Sequence, residues 1–479
     1  MKTGKWKQLL LAGTLLATAS PGGLFETNKV MADTPRTPEQ SFEALQEQVG
    51  RQQKLIELQQ QRLLQLERSQ DQNWLNEKRT QEVKALIHEV LADADTRTSL
   101  LESSLTAGYK NGFYINAEDS TFGLRLNVES QIRYIYNDRK NEAATTDVDT
   151  NGFQIRRARF DIRGHAFDPK LTYRLRFDGD RADGDAVLQY AYVGYTFAPK
   201  WNIQVGQFKP LFLREENISS FRQLAVERSY SADYFTIDYA QGAELTYAGE
   251  WFRPSLTFYD GSYTQNSEFN ADRTNFAIAG RGEFKLAGDW KQFGDFTSWS
   301  KDKFGFLLGI AAAYERGEEG GGINTPDVFK YTADISAEYA GLNLFAALYG
   351  QMFKNNGSTA GLPTNLDDAS QLCFIAQAGA FVIPDKLELF GRYEWIDFDG
   401  VYYRNSGAAT SSTKNLVGED NLNIVTFGAN YYFRKHNLKA TIDLQWVLDP
   451  LPASNTGSGL LSSANEDQIA LRTQLQWSF

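Results

Sequence analysis

The chain has 479 residues and a formal net charge of −11, spread along its length, which excludes nucleic acid as a partner because phosphate contacts need a basic surface. Aromatic residues make up 13% of it, yet the mean hydropathy is −0.45 and no apolar stretch of about 20 residues exists, so a helical membrane protein is excluded. A single cysteine (Cys373) rules out an intrachain disulfide framework, and His88, His165 and His436 are scattered without ligand spacing, so no metal site is expected.

The first residues read as an export signal. Lys2, Lys5 and Lys7 form a basic start, and Leu9 to Ala19 is an apolar run too short to span a bilayer. Cleavage fits after Ala19 or after Ala32; the second is preferred, giving a signal peptide over 1–32. Residues 33–105 then form a helical prefix. From Ser41 to Leu105 there is almost no Gly or Pro, and Phe42, Leu45, Val49, Ile56, Leu63 and Leu66 share the a and d positions of one heptad register. Gln52, Gln59, Gln70 and Asn73 weaken that seam, and Val83, Leu86 and Val90 resume it out of phase. A lone helix of this kind is marginal in water, so a self-associating periplasmic coiled coil is expected; a single surface helix is the alternative.

After Gly108 the period changes to two. In the last segment Ile469, Leu471, Thr473, Leu475, Trp477 and Phe479 alternate with Gln468, Ala470, Arg472, Gln474, Gln476 and Ser478, one face suited to lipid and the other to water. Similar segments recur near 122–136, 152–166, 169–179, 186–198, 201–209, 238–248, 251–260 and 274–287. The second half continues near 303–315, 328–340, 342–353, 371–382, 385–397, 421–433, 436–448 and 467–479. About sixteen antiparallel strands result, an even number that suits an all-β transmembrane barrel over 106–479. Tight turns at Asp168-Pro169, Ala198-Pro199-Lys200, Gly249-Glu250, Gly341 and Pro384-Asp385 alternate with long polar loops such as 137–151, 261–273, 354–370 and 398–422. Membrane barrels alternate in this way. The stretch 288–302 breaks the rule. The chain closes on Phe479, similar to the terminal aromatic by which assembly machinery recognises outer-membrane barrels.

Alternation also assigns the lumen. With Leu124, Leu126, Val128 and Ile132 toward lipid, Arg125 and Arg133 face inward beside Asn127, Glu129 and Gln131. The next two segments turn Arg157, Arg159 and Arg163 inward with Asp161, then Arg174 and Arg176 with Asp178. Charges toward lipid at mid-depth would cost roughly 2–4 kcal/mol each. Seven arginines on one wall suit an anion path, because the guanidinium charge is permanent and its fork binds oxyanions. Two readings stay open: a selective wall, or a neutral lattice with Glu129, Asp161 and Asp178. The sequence after residue 105 is itself acidic, with 36 Lys and Arg against 46 Asp and Glu.

Between Lys209 and Asp238 lies the longest connection, carrying Arg214, Glu215, Glu216, Arg222, Glu227 and Arg228. Long loops in compact folds are usually functional. A constriction loop with Lys209, Arg214, Glu215, Glu216, Arg222 and Arg228 is expected, against a floppy external loop or a clasp on a neighbouring subunit. Catalysis is not expected, since neither His165 nor His436 sits in a nucleophile–base motif, and Gly320-Gly-Gly322 lacks the context of a phosphate loop. No cofactor is implied.

The stretch Phe153 to Ser229 resembles the phosphate-selective porin O and P family. The resemblance rests on Phe-Gln-Ile-Arg-Arg-Ala-Arg-Phe (153–160), Tyr-Arg-Leu-Arg-Phe-Asp (173–178), Gln-Tyr-Ala-Tyr-Val-Gly-Tyr (189–195), Val-Gly-Gln-Phe-Lys-Pro (205–210) and Val-Glu-Arg-Ser (226–229). It implies a trimeric sixteen-stranded barrel in outer-membrane lipid whose third external loop folds inward, and inward arginines that pass phosphate or other anions. The expected function is a porin for small anionic or neutral solutes. The alternative is an envelope protein whose coiled coil contacts the cell wall, with a non-selective pore.

Overall fold

In the computed structural model, the described residues are 49–51, 53–54, 56–61, 84–85 and most of 105–479; the latter omit 111, 140–147, 180–183, 270–273, 318–325, 355–368, 400, 406–411, 417–420 and 463–466. The expected signal peptide lies outside them, as does most of the heptad seam. The chain divides into two units, 1–94 and 95–479. In the first, the described residues are helical, and Val49 and Ile56 of the seam are exposed.

The second unit is an antiparallel sheet that closes on itself. A short hairpin comes first, β1 (Leu105–Tyr109) and β2 (Phe113–Ala117). Then follow β3 (Phe122–Arg139), β4 (Val148–Ala166), β5 (Asp168–Gly179), β6 (Ala186–Ala198), β7 (Trp201–Phe208), β8 (Ala240–Tyr247), β9 (Phe252–Tyr259) and β10 (Thr274–Ala287). The second half holds β11 (Gly305–Gly317), β12 (Asp327–Tyr339), β13 (Leu342–Lys354), β14 (Ala369–Ile383), β15 (Leu387–Asp397), β18 (Asn421–Arg434), β19 (Leu438–Val447) and β20 (Gln468–Ser478). Each pairs with the next, and β20 returns to β3 from Gln468↔Arg139 to Ser478↔Glu129. A closed ring of sixteen leaves no sheet edge in lipid. Each sequence-assigned segment coincides with one of these sixteen strands.

Three features were not read from the sequence. Strand β3 is longer than β20, so its lower half would have been an open edge; β2 fills it, from Phe113↔Leu126 to Asn116↔Gly123. Phe479 caps the seam by exchanging backbone hydrogen bonds with Val128 (2.9 and 3.1 Å), and its ring stacks on Trp477 and meets Phe113 edge-on. The loop expected over 398–422 contains a two-stranded ribbon, β16 (Val401–Asn405) with β17 (Ser412–Leu416).

The alternation is sharp. In β13 and β15 the outward Leu344, Leu348, Met352, Leu389 and Tyr393 are exposed while Gln351, Glu388, Arg392 and Glu394 are buried. Turns at the short-connection end need left-handed residues, supplied by Lys200, Ala340 with Gly341, and Asp385. At Gly206 (φ +133°) a Cβ would stand 2.2 Å from the Ala191 carbonyl oxygen, so only glycine fits where β7 crosses β6.

Candidate functional site

The chain leaving β7 does not pass outward but folds into the barrel. From Phe208 to Ala240 almost every residue is buried, including two short helices, α1 (Arg214–Asn217) and α2 (Tyr230–Phe235). An apolar core explains this. Phe212, Leu213, Leu224 and Phe235 pack on an apolar patch of the inner wall, with Ala277, Ala311, Phe345, Ile375, Leu422 and Val447. Each such side chain contributes roughly 1.5–3 kcal/mol when buried. The inner face of β10 to β20 thus mixes this apolar patch with buried polar and charged side chains such as Arg281, Lys330, Asp334, Glu388, Arg392 and Asp443, and together they form the bed of the loop.

Strand side chains then bind the loop backbone around most of the ring. Arg281 donates to Phe212 O (3.0 Å), Gln131 to Ser220 O (3.2 Å), Gln476 to Phe221 O (2.8 Å), Lys439 to Gln223 O (2.8 Å), Asn430 to Leu224 O (2.9 Å) and Lys330 to Thr236 O (2.9 Å). These bonds satisfy carbonyls that burial would otherwise orphan.

The six charged loop residues singled out from the sequence brace the loop itself. Glu215 accepts from Ser229 N (2.8 Å) and Oγ (2.6 Å), tying its two arms together. Arg228 crosses to Ile218 O (2.7 Å) and to Glu216 (3.1 Å). Lys209 pairs with Glu216 and with Asp238 (2.8 Å). Arg214 donates to Ser336 Oγ (2.7 Å) and Phe293 O (3.0 Å), whereas Arg222 is exposed and reaches Gly294 O (3.2 Å).

On the opposite side, β3 to β6 present the arginines in cross-strand rows. Arg157 stands opposite Gln131, Arg159 opposite Glu129 and Asp178, Asp161 opposite Asn127 and Arg176, and Arg163 opposite both Arg125 and Arg174. The outermost row is the loop's ionic anchor. Glu227 takes Arg133 (3.0 Å), Arg156 (2.8 Å) and Arg157 (2.7 Å). Burial alone would raise this carboxyl, but the three arginines hold it well below the usual range. Arg156 and Glu227 were not among the candidate site residues. A register shift between Gln131 and Ile132 leaves Arg156 unpaired opposite β3, and such a bulge turns a side chain that alternation would send to lipid.

Below, the pairs change. Arg159 meets Asp178 (2.8 Å), while Arg174 (2.5 Å) and Arg176 both meet Asp161. These three arginines are thus ion-paired across the wall. At the lower end Arg125 and Arg163 are exposed, and neither is ion-paired among the described residues; Arg163 donates to Asn127 Oδ1 (3.2 Å). Counting Arg156, eight arginines face the four carboxylates Glu129, Asp161, Asp178 and Glu227. Two cavities flank this wall. One of about 530 Å³ lies at the outer end, lined by Arg156, Arg157, Arg159, Arg228, Lys209 and Lys330 and by the acids Asp178, Glu216, Asp233, Asp238 and Glu315. The other, about 520 Å³, lies at the lower end against Arg125, Arg163, His165 and Tyr192.

The family model described as phosphate-selective porin O and P matches residues 126–357. That stretch belongs to the family. The porin also resembles an anion-selective porin from Comamonas acidovorans, with a TM-score of 0.50 at 14% identity, covering 74% of this chain and 99% of that one. A second solved structure, the outer membrane channel DcaP of Acinetobacter baumannii, gives a TM-score of 0.48 at 12% identity over 78% of this chain and 100% of that one. An uncharacterized protein of Aquifex aeolicus (strain VF5) is 23% identical over 396 residues, 74% of this chain and 86% of that protein. The barrel is an outer-membrane channel for small solutes.

Proposed function

We propose that solutes cross this porin off-axis, between the folded-in loop and the β3–β6 wall, and that small anions are preferred. The observation that carries this reading is the asymmetry of the lumen: an apolar core seats the loop on one side, and eight arginines against four carboxylates line the other. Fixed cations along a narrow path favour anions. Phosphate is one candidate, through the family, and nothing in the wall singles it out from other oxyanions.

Liposome swelling with size-matched anionic, neutral and cationic solutes tests this. The anion should enter fastest; equal rates, or a faster cation, would overturn the preference. We also read the protein as a homotrimer, as the resemblance implies. The signal peptide over 1–32 and the periplasmic coiled coil over 33–105 rest on the basic, apolar start and the heptads. Exposed Val49 and Ile56 on described helical residues suit a seam awaiting a partner, and contact with the cell wall is the role this coil would serve.

A further inference from the structure

The connection between β10 and β11, residues 288–304, is the one at the short-turn end that breaks the rhythm of tight turns. It folds into the mouth of the barrel as a strap. Phe293 and Phe296 are buried, and Phe296 packs on Phe345 of the inner wall with centroids 4.9 Å apart. The strap then runs past three neighbouring turns and is fastened at each. Asp302 O accepts from Ala340 N (3.1 Å), Ser300 donates twice to Asp385 (both 2.8 Å), and Trp299 packs against Phe381, Tyr432 and His436. Thr297 Oγ1 lies 3.0 Å from the Tyr432 hydroxyl.

The strap also holds the loop from below. Phe293 O accepts from Arg214, whose guanidinium sits over both phenyl rings at 5.8 and 5.6 Å, and Gly294 O accepts from Arg222. An ordinary turn would join β10 to β11 in two to five residues. The extra chain covers the mouth beneath the loop on the side away from the arginines.

We propose that strap 288–304 is a specificity-determining part of the channel. It closes the lumen beneath the loop along β10 to β19 and braces the loop on its apolar bed, leaving the arginine wall as the aqueous route. Phe293, Phe296 and Trp299 are the residues that do this. The inference rests on the off-axis reading above, and its test separates the two.

The test uses full-length protein in which 289–303 is replaced by Asn-Gly, checked for folding by heat-modifiable migration. In planar bilayers the single-channel conductance should rise about twofold as a second lane opens, and the reversal potential in a KCl gradient should move toward zero. Unchanged conductance in a folded variant overturns the strap's role. A conductance rise with an unchanged reversal potential keeps the strap as an obstruction and overturns the arginine-wall reading. Phe293→Ala with Phe296→Ala is the milder variant. On a Ser336→Cys, Cys373→Ala background it should make Cys at 336 reactive to a periplasmic-side thiol reagent. Ser336 is buried against Arg214, so continued protection would count against bracing.

Discussion

Arg157 grips Glu227 with two guanidinium nitrogens, Nη1 to Oε2 at 3.0 Å and Nη2 to Oε1 at 2.7 Å. This two-point pair joins a barrel strand to the folded-in loop, and Arg133 and Arg156 reach the same carboxylate. A single acid thus anchors the loop to a wall that would otherwise repel itself. Glu227→Gln should leave the buried Arg133 and Arg157 and the half-buried Arg156 facing each other. Removing one partner of a buried ion pair typically costs about 3–5 kcal/mol. The barrel should still assemble, but the loop should become protease-sensitive and the open-channel current noisier; a loop as resistant as before would show that its apolar core suffices alone.

The arginines are not interchangeable. Arg133, Arg157 and Arg159 are buried, and each hydrogen-bonds both a carboxylate and the loop. Replacing them mixes selectivity with loop position. Arg125 and Arg163 are exposed and, among the described residues, not ion-paired, so Arg125→Gln with Arg163→Gln should cut the anion preference while changing the melting temperature little, since exposed charges contribute about 0–1 kcal/mol. A variant with full selectivity would remove the lower cavity from the path.

Acid should loosen the strap. His436, at the β18–β19 turn, lies 3.3 Å from Asp295. Burial lowers its pKa below the ordinary 6.5, Asp295 works against that, and Lys439 and Arg222 lower it further. Tyr432 and Trp299 complete its surroundings. Asp385 would be raised by its slight burial, but the Ser300 hydrogen bonds hold it below 3.8. Both groups bind protons more weakly with the strap closed. Their contribution is therefore complete above the ordinary values and lost as pH falls through the lower folded ones. Conductance should rise as pH is lowered from 7 toward 4 through His436, and again below pH 3.8 through Asp385. His436→Gln should abolish the first part; an unchanged profile would exclude the histidine.

The hairpin sets where the barrel begins. Removing 33–104 should leave conductance unchanged, whereas extending the deletion through Ala117 removes the strand on β3 and the Phe113 contact with Phe479. Each lost hydrogen bond is worth about 0.5–1.5 kcal/mol. The longer deletion should lower the melting temperature, and equal stability of the two would make the hairpin dispensable.

Much of this was legible in the sequence because lipid enforces it. Outward residues such as Leu471 and Leu475 must be apolar, so period two and the turn rhythm locate sixteen strands and put Arg125 to Arg176 on one face. The loop over 209–238 announced itself by length and charge. Its seating did not, because Phe345, Ile375 and Leu422 read as ordinary strand apolars until the loop lies on them. Arg156 was hidden by a bulge, and Phe293 and Phe296 by a stretch whose only signal was breaking the turn rule. The hairpin at 105–117 was too short to show a period.

The most direct test of the off-axis anion path is the reversal potential of the full-length porin in a planar bilayer under a KCl gradient. The arginine wall predicts a potential of the sign for chloride crossing faster than potassium, diminishing as ionic strength screens the wall. A potential of the opposite sign, with potassium crossing faster, would contradict it.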